Sequence, residues 1–481
     1  MERIYDQKSI MDLDRRLIEG GIPSGSLMKE AARCVFSEIG SLDMRKDNIL
    51  ILAGKGNNGG DGYALAELLS HSGYSVTVIS AEDPVTDDAV YYRDRFSEAS
   101  GMIISTEDVP SDLSKFDIII DCLFGVGFHG ELKGIYEDLV RLANDSSAYR
   151  IACDVPSGVE TDTGEASLAF RADLTVTFSY PKPCHFLYPG REYTGKLSVR
   201  PIADLPDDEC HMFHVDGYAL PKRKRDTHKG DYGRLLIVAG SKDLFGASYL
   251  CSSGALRSGA GLITLKSCSY VTGKMHTMLP EIMSKDVSSK KDFLSSPPLD
   301  AKGFDCMAIG PGLGTDEETG KAIEELISSD IPKVLDADAL NIISRYSLPV
   351  GRNTVMTPHP GEFSRLSGLD METIRRDPVK AAIGYALEKG IVLLLKGSTS
   401  VVTDGTDIFL ITSGTPAMAK GGSGDVLTGV ISSFIAQGLP LVEAAYAGAF
   451  LCGKAAEKAV KNTGEYSFTP RDTIRYLRYV L

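Results

Sequence analysis

The sequence predicts an α/β protein of two domains. Three observations predict it: a length of 481 residues, short apolar runs alternating with helical stretches, and two separate Gly-rich loops, GKGNNGGDG over 54–62 and KGGSGD over 420–425. One ordinary hydrophobic core does not grow to that length. Each Gly-rich loop follows its own run of α/β units, so two active sites are expected in one polypeptide.

In chain order, Leu27, Met28, Ala31, Val35, Phe36 and Ile39 recur at helical spacing and predict an amphipathic helix. Strands are expected over 49–53, 76–79, 118–120, 151–153 and 174–178, with helices over 62–69 and 134–142 between them. These runs are apolar throughout and bounded by Gly, Asp or Pro, as in a parallel sheet covered by helices on both faces. From 201 to 225 the periodicity lapses into Pro, Asp, Lys and Arg, and the domains are drawn there as 1–208 and 209–481. A second series follows, with strands expected over 235–239, 262–265, 307–309, 334–335, 355–356, 392–395 and 399–403. Packed helices are expected over 426–436 and 441–459.

A hydrophobic content of 43% with 24% charged residues is that of a globular protein, away from disordered and membrane-spanning compositions. The net charge of -14 opposes non-specific nucleic-acid binding, so no nucleic-acid partner is expected and any anionic substrate must be held by local groups. The basic run Lys222-Arg223-Lys224-Arg225 reads as a solvated connector. Nine cysteines, odd in number and without a C-x-x-C pair, fit reduced thiols rather than a disulfide framework. Met1 to Asp6 lacks the apolar core of a signal peptide and no apolar run spans a bilayer, which together suggest a cytoplasmic protein with no membrane partner.

The loop 54–62 sits between a strand and a helix, where Gly lets backbone N–H groups approach an anion, although a structural turn would look the same. Asp121, the Gly125-Val126-Gly127 turn and Asp154-Val155-Pro156-Ser157-Gly158 also follow apolar strands. In a parallel sheet those ends line one edge, where ligands bind. Carboxylates converging there beside amide and hydroxyl oxygens suit a hard cation.

GKGNNGGDG, the Asp121-Cys122-Leu123-Phe124-Gly125 stretch and DVPSG over 154–158 resemble the NAD(P)H-hydrate epimerase family across the N-terminal domain. The resemblance implies a Rossmann-like three-layer αβα domain and a K⁺ near Asn58, Asp121 and Ser157. It also implies contacts to the hydrated nucleotide from Asn57, Asn58, Gly59, Gly60, Asp61, Gly125, Val126, Gly127, Phe128, His129, Gly130, Glu131 and Asp154. Epimerising a carbon that bears a hydroxyl beside a ring nitrogen requires loss of that hydroxyl or ring opening, and either needs a positioned acid or base. Asp154 is the first candidate and Asp61 the second; a strand-end Asp also caps turns. The chain departs from the family at Lys29-Glu30, where Glu then Asn is usual, a difference expected to bear on entrance-side contacts.

KGGSGD precedes the apolar stretch 426–436, so its loop directs N–H groups at a phosphate with Asp425 alongside, a geometry suited to phosphoryl transfer and equally that of a helix cap. GPGLG over 310–314, DADALN over 336–341, TPHPGE over 357–362 and KGSTS over 396–400 are polar loops at expected strand ends. Together these motifs resemble the ribokinase-like superfamily and its ADP-dependent NAD(P)H-hydrate dehydratases, from about His228 to the last helix. The resemblance implies a ribokinase-like αβα domain in which Lys396, Gly397, Ser398, Thr399, Ser400 and Gly424 meet the adenine nucleotide. Ala247, Gly314, His359 and Asp425 would meet the hydrate, and Asp425 would take the proton of its hydroxyl. Mg²⁺ would bridge the nucleotide phosphates; Asp336, Asp338 and Glu362 are candidate ligands or simple caps.

The expected function is therefore bifunctional repair: interconversion of the R and S hydrates of NADH and NADPH, and ADP-dependent dehydration of the S form, by a homo-oligomer. The alternative is a small-molecule kinase of the ribokinase-like superfamily with a non-catalytic nucleotide-binding N-terminal domain.

Overall fold

The computed structural model describes residues 1–204 and 209–481, and the chain divides into two compact units, 3–210 and 211–481 with residues 1–2. The expected domain division at residue 208 falls on 205–208, outside the described residues.

In the N-terminal unit seven parallel strands lie in the spatial order Met102–Ile104, Ser75–Ser80, Asn48–Ala53, Ile118–Cys122, Tyr149–Cys153, Leu174–Phe178, Lys196–Arg200. Alternate residues of each strand enter different cores. Ile49, Ile51, Ile118 and Ile120 face helices Ser24–Ser41, Asn57–His71 and Asp87–Glu98, while Leu50, Leu52 and Ile119 face helix Ile135–Asp145. The result is the three-layer αβα arrangement. The strand order reverses between Asn48–Ala53 and Ile118–Cys122, and in open α/β sheets ligands bind at the carboxyl ends beside such a reversal.

The C-terminal unit carries an eleven-stranded sheet that reverses order between Arg234–Val238 and Cys306–Ile309. Helix Leu441–Thr463 packs on the face carrying Leu394 and helix Pro378–Lys389 on the other side, again giving three layers. The parallel pairing expected from the sequence fails at one end: Val392–Leu395, Ser400–Thr403 and Ile408–Ile411 are antiparallel neighbours. The four-residue connection 396–399 is too short for a parallel crossover. The segment read as a lapse also holds a strand, Met212–His214, paired parallel to Ile408–Ile411. Lys222 to Arg225 remain exposed and outside helices and strands, as expected of a connector.

Candidate active sites

In the N-terminal unit the helix begins at Asn57 rather than near 62, so Asn57 to Asp61 form its first turns rather than a loop. Two glycines make this possible. A Cβ on Gly54 would lie 2.0 Å from the Leu123 carbonyl oxygen, and one on Gly59 would lie 1.8 Å from that of Gly54. The helix start therefore sits directly against the loop after Ile118–Cys122, at the point of strand reversal.

A cavity of about 700 Å³ opens there, lined by Asn57, Asn58, Asp61, Gly125 to Phe128 and Asp154, with Asp14, Lys55, Asp88 and Lys182 added from outside the expected set. Gly59 and Gly60 do not line it: Gly60 packs on Met28 and Ala89. His129 and Glu131 line a second hollow of about 380 Å³ with Phe124 and Tyr136, and the Gly130 N–H donates to Glu160 Oε1 at 3.0 Å. Lys29 lies outside the main cavity too, in a groove with Arg33, Glu67, Tyr91 and Arg95. Helix Ser24–Ser41 presents Leu27, Met28 and Ala31 to the cavity instead, so the departure at Lys29-Glu30 does not alter its lining.

The three expected cation ligands do come together. Ser157 Oγ donates to Asp121 Oδ1 at 2.6 Å, and the Ser157 N–H donates to Oδ2 at 2.7 Å. Asn58 Nδ2 donates to the Phe124 carbonyl at 2.8 Å, leaving Asn58 Oδ1 buried without a hydrogen-bond partner. Burial pushes the Asp121 carboxyl up to about 6, against the hydrogen bonds from Ser157 and Leu123 that lower it.

Asp154 stands in a left-handed backbone conformation, φ +69°. Its Oδ1 accepts from Thr177 Oγ1 at 2.9 Å and pairs with the Lys182 ammonium, which is only 1% exposed. Burial alone would raise this carboxyl, but the Lys182 charge and the Lys182 and Thr177 hydrogen bonds outweigh it and hold the group below its ordinary value. Asp61 has the opposite balance: burial raises it well above the usual range, and the nearby charges, Asp154 and Asp14, push the same way. Asp14 is raised to about 6, by burial and then by Asp154.

In the C-terminal unit the helices Phe245–Arg257 and Ser423–Ala436 approach closely through small residues. A Cβ on Gly429 would meet the Cys251 carbonyl at 2.0 Å, and one on Gly254 the Val426 carbonyl at 2.8 Å. Ala247 and Asp425 occupy the first turns of these helices. Ala247 abuts the turn at Gly312, and the Gly314 N–H donates to Asp338 Oδ2 at 2.8 Å. Lys396 Nζ donates to Asp336 Oδ1 at 2.7 Å, and Thr428 Oγ1 to Oδ2 at 2.7 Å. Gly424 lies over this pair, its absent Cβ 3.1 Å from Lys396 Nζ.

Asp336 is driven up by burial and more strongly down by Lys396 and its hydrogen bonds, and is held below its ordinary value. Asp425 is pushed up to about 6, by burial first and then by Asp336, against the lowering effect of Lys396. Ser423 Oγ, at the start of the same helix, is buried without a hydrogen-bond partner. His359 caps helix Pro360–Ser367: its Nδ1 accepts from the Gly361 N–H at 3.0 Å and the Glu362 N–H at 3.3 Å, and its Nε2 lies 3.6 Å from Glu362 Oε2. In the hairpin, Gly397 and Ser398 are exposed, Thr399 is buried, and the Gly397 N–H donates to Ser400 Oγ at 3.4 Å. Among the described residues no group of three His, Cys, Asp or Glu side chains is set to hold a metal ion, and Asp336 is committed to Lys396.

Residues 235–478 match the NAD(P)H-hydrate dehydratase family model and residues 24–184 the model of the YjeF-related protein N-terminus. The chain is 34% identical over 492 residues to the bifunctional NAD(P)H-hydrate repair enzyme of Coxiella burnetii, with the whole of both chains covered. It is 35% identical to the one of Thermofilum pendens, covering 97% of this chain and 93% of that one. The chain belongs to the bifunctional NAD(P)H-hydrate repair enzymes. A crystal structure of the ADP/ATP-dependent NAD(P)H-hydrate dehydratase of Bacillus subtilis, co-crystallised with ATP and Mg²⁺, is similar at 30% identity with a TM-score of 0.48, covering 54% of this chain and 93% of that one.

Within this repair enzyme, sequence reasoning missed Lys182 and Asp14. Lys182 carried a usable signal, a lysine between two prolines just after an expected strand. Asp14 carried none, since one carboxylate on the helix Gln7–Glu19 looks like any solvated side chain.

Proposed function

We propose that the N-terminal cavity interconverts the R and S hydrates of NADH and NADPH, and that the C-terminal site dehydrates the S hydrate at the expense of ADP, releasing AMP and phosphate. The observation that carries this reading is a repeated arrangement. At the carboxyl ends of the strands in each sheet an Asp–Lys ion pair lies beside a second carboxyl held above its ordinary value, so that each site sets an ionised carboxylate beside one that burial favours in its protonated form.

In the dehydratase site Asp425 takes the proton of the substrate hydroxyl, whose oxygen attacks the terminal phosphoryl group of the nucleotide. The hydroxyl leaves poorly; its phosphate ester leaves well, expelled by the ring-nitrogen lone pair, and loss of a proton from the neighbouring carbon restores the reduced ring. In this reading Ala247, Gly314 and His359 would meet the hydrate, while Lys396, the 397–400 turn and Gly424 would meet the nucleotide. The start of helix Ser423–Ala436, with the unpartnered Ser423 hydroxyl, supports the negative charge of the transferring group. Among the described residues no three His, Cys, Asp or Glu side chains are set to cage a metal ion, and Mg²⁺ bound with the nucleotide would neutralise phosphate charge.

Asn58 and Phe124 line the epimerase cavity, and the fully buried Asp121 and Ser157 bond to the same loop, so the unpartnered Asn58 Oδ1, the Asp121 carboxylate, Ser157 Oγ and the Phe124 carbonyl are an oxygen set of the kind K⁺ takes. K⁺ would compensate the buried Asp121 charge and fix the loop after Ile118–Cys122 against the helix start.

The test is recovery of the reduced-nicotinamide absorbance from purified S hydrate with Mg²⁺ and either ADP or ATP. Recovery with one AMP and one phosphate formed per NADH is expected with ADP. A stable phosphorylated hydrate without recovered NADH would overturn the dehydratase reading in favour of a kinase.

A further inference from the structure

Asp14, Asp61 and Asp154 bring three carboxyls to the epimerase cavity, and one deeply buried ammonium, Lys182, enters among them. The ammonium is not shared equally. Lys182 Nζ is fixed by Asp154 Oδ1, by Thr177 Oγ1 at 2.9 Å and by the Phe178 carbonyl at 3.2 Å. The loop that delivers it is locked in turn: the Lys182 N–H donates to His185 Nδ1 at 3.0 Å, so the His185 proton sits on Nε2 and points at the Asp154 carbonyl 3.0 Å away. Burial, then the Lys182 charge, holds His185 down at about 3, so the imidazole is neutral and the lysine is the cation of this cluster. Around it lie Lys55 and Asp88 on the cavity wall, the buried Cys184 thiol beside Lys182 and Asp154, and the buried thiols Cys122 and Cys153 near Asp61.

We propose that the cavity divides acid and base between two carboxyls, Asp61 donating a proton to the departing hydroxyl and Asp154 receiving one from the returning water, and that Lys182 is the positioning residue that fixes this division. The proposal rests on the epimerase reading above. In the first step the C–O bond beside the ring nitrogen breaks, the nitrogen lone pair forms the C=N bond, and the Asp61 proton goes to the leaving oxygen as water. In the second, water adds to the opposite face, the C=N pair returns to nitrogen, and the released proton goes to the Asp154 carboxylate. Proton transfer from Asp154 to Asp61 through cavity water resets the site, so the cycle consumes nothing. A single deeply buried ammonium, held on Asp154, makes the division possible: the paired Asp154 stays ionised while Asp61 keeps its proton.

The experiment is the pH dependence of kcat/KM for R-to-S conversion by the full chain, with the rate in buffer alone subtracted. It is measured for the native protein and for Lys182→Met, Lys182→Arg and Asp61→Asn. Loss of the ammonium in Lys182→Met is expected to move the acid limb upward by at least about one pH unit and to lower the neutral-pH rate about tenfold or more. Lys182→Arg is expected to return the limb to its native position, and Asp61→Asn to abolish the alkaline limb. Thermal melting shows whether each variant is folded. A folded Lys182→Met whose rate falls with its acid limb unmoved would reduce Lys182 to a structural role and overturn the proposal, as would an Asp61→Asn profile with the native alkaline limb. A native chain that converts R to S no faster than buffer would instead overturn the epimerase reading itself.

Discussion

In the N-terminal unit a buried lysine, Lys182, grips Asp154 while Asp61 has no compensating charge; in the C-terminal unit Lys396 grips Asp336 and only partly offsets the burial of Asp425. The motifs visible in the sequence name both members at each site, putting the gripped Asp154 of DVPSG ahead of Asp61 in the first and Asp425 of GGSGD ahead of the gripped Asp336 of DADALN in the second. A strand-end Asp in a loop thus does not announce its protonation state. The partner lysine sets that state, and it is 28 residues from Asp154 and 60 from Asp336 in the chain.

The largest test of this contrast is Asp425→Asn, which is expected to lower dehydration of the S hydrate about 10²–10⁴-fold, the range for loss of a positioned proton acceptor, and to leave R-to-S conversion untouched. Next is Asp154→Ala, which leaves the Lys182 charge buried and unpaired. It is expected to destabilise the N-terminal unit by about 3–5 kcal/mol, read as an earlier melting transition, and to abolish epimerisation.

A third test uses the raised carboxyl of Asp425. The ionised form is the proton acceptor, so the dehydration rate is expected to fall as pH drops through about 6. The stability effect has the opposite sign. A folded-state value above the unfolded one means that protonation favours the fold, so Asp425 contributes stability at low pH that is lost as pH rises through about 6. Asp425→Asn should therefore stabilise the C-terminal unit at pH 7.5 by about 1–3 kcal/mol, with the difference vanishing below about pH 4, in denaturant titrations at the two pH values. Replacing K⁺ by Na⁺ should weaken epimerisation and leave dehydration unchanged, because the orphaned Asn58 oxygen belongs to the first site alone. The smallest effect is expected from Lys29→Glu. Lys29 faces the outer groove rather than the cavity, so epimerisation should stay within about twofold of native in initial-rate assays.

Much of the fold was legible because buried strands of a parallel sheet are continuous apolar runs: the expected 174–178 and 392–395 coincide with Leu174–Phe178 and Val392–Leu395. Edge strands were not legible. Lys196–Arg200 is polar and half-buried, held by Ser198 and Arg200 bonding Glu38, and Met102–Ile104 is three residues long at the other edge. Met212–His214 was lost for a related reason, since its neighbours are polar and its pairing partner lies about 200 residues away. The sites divide in the same way. Glycines and carboxylates at strand ends stand out by spacing, and most lie at the carboxyl ends of the two sheets. Gly59 and Gly60 also stand out, but they serve close packing, and the lysine that controls Asp154 enters from a distant loop.

Two independent sites acting in sequence carry a direct prediction. Its most direct test gives purified R hydrate, with K⁺, Mg²⁺ and ADP, to Asp154→Asn alone, to Asp425→Asn alone and to an equimolar mixture. NADH recovery is expected to be no faster than the spontaneous R-to-S rate allows for the first variant, absent for the second, and rapid for the mixture. Rapid recovery by Asp154→Asn alone, or failure of the mixture when each variant retains its remaining activity, would contradict it.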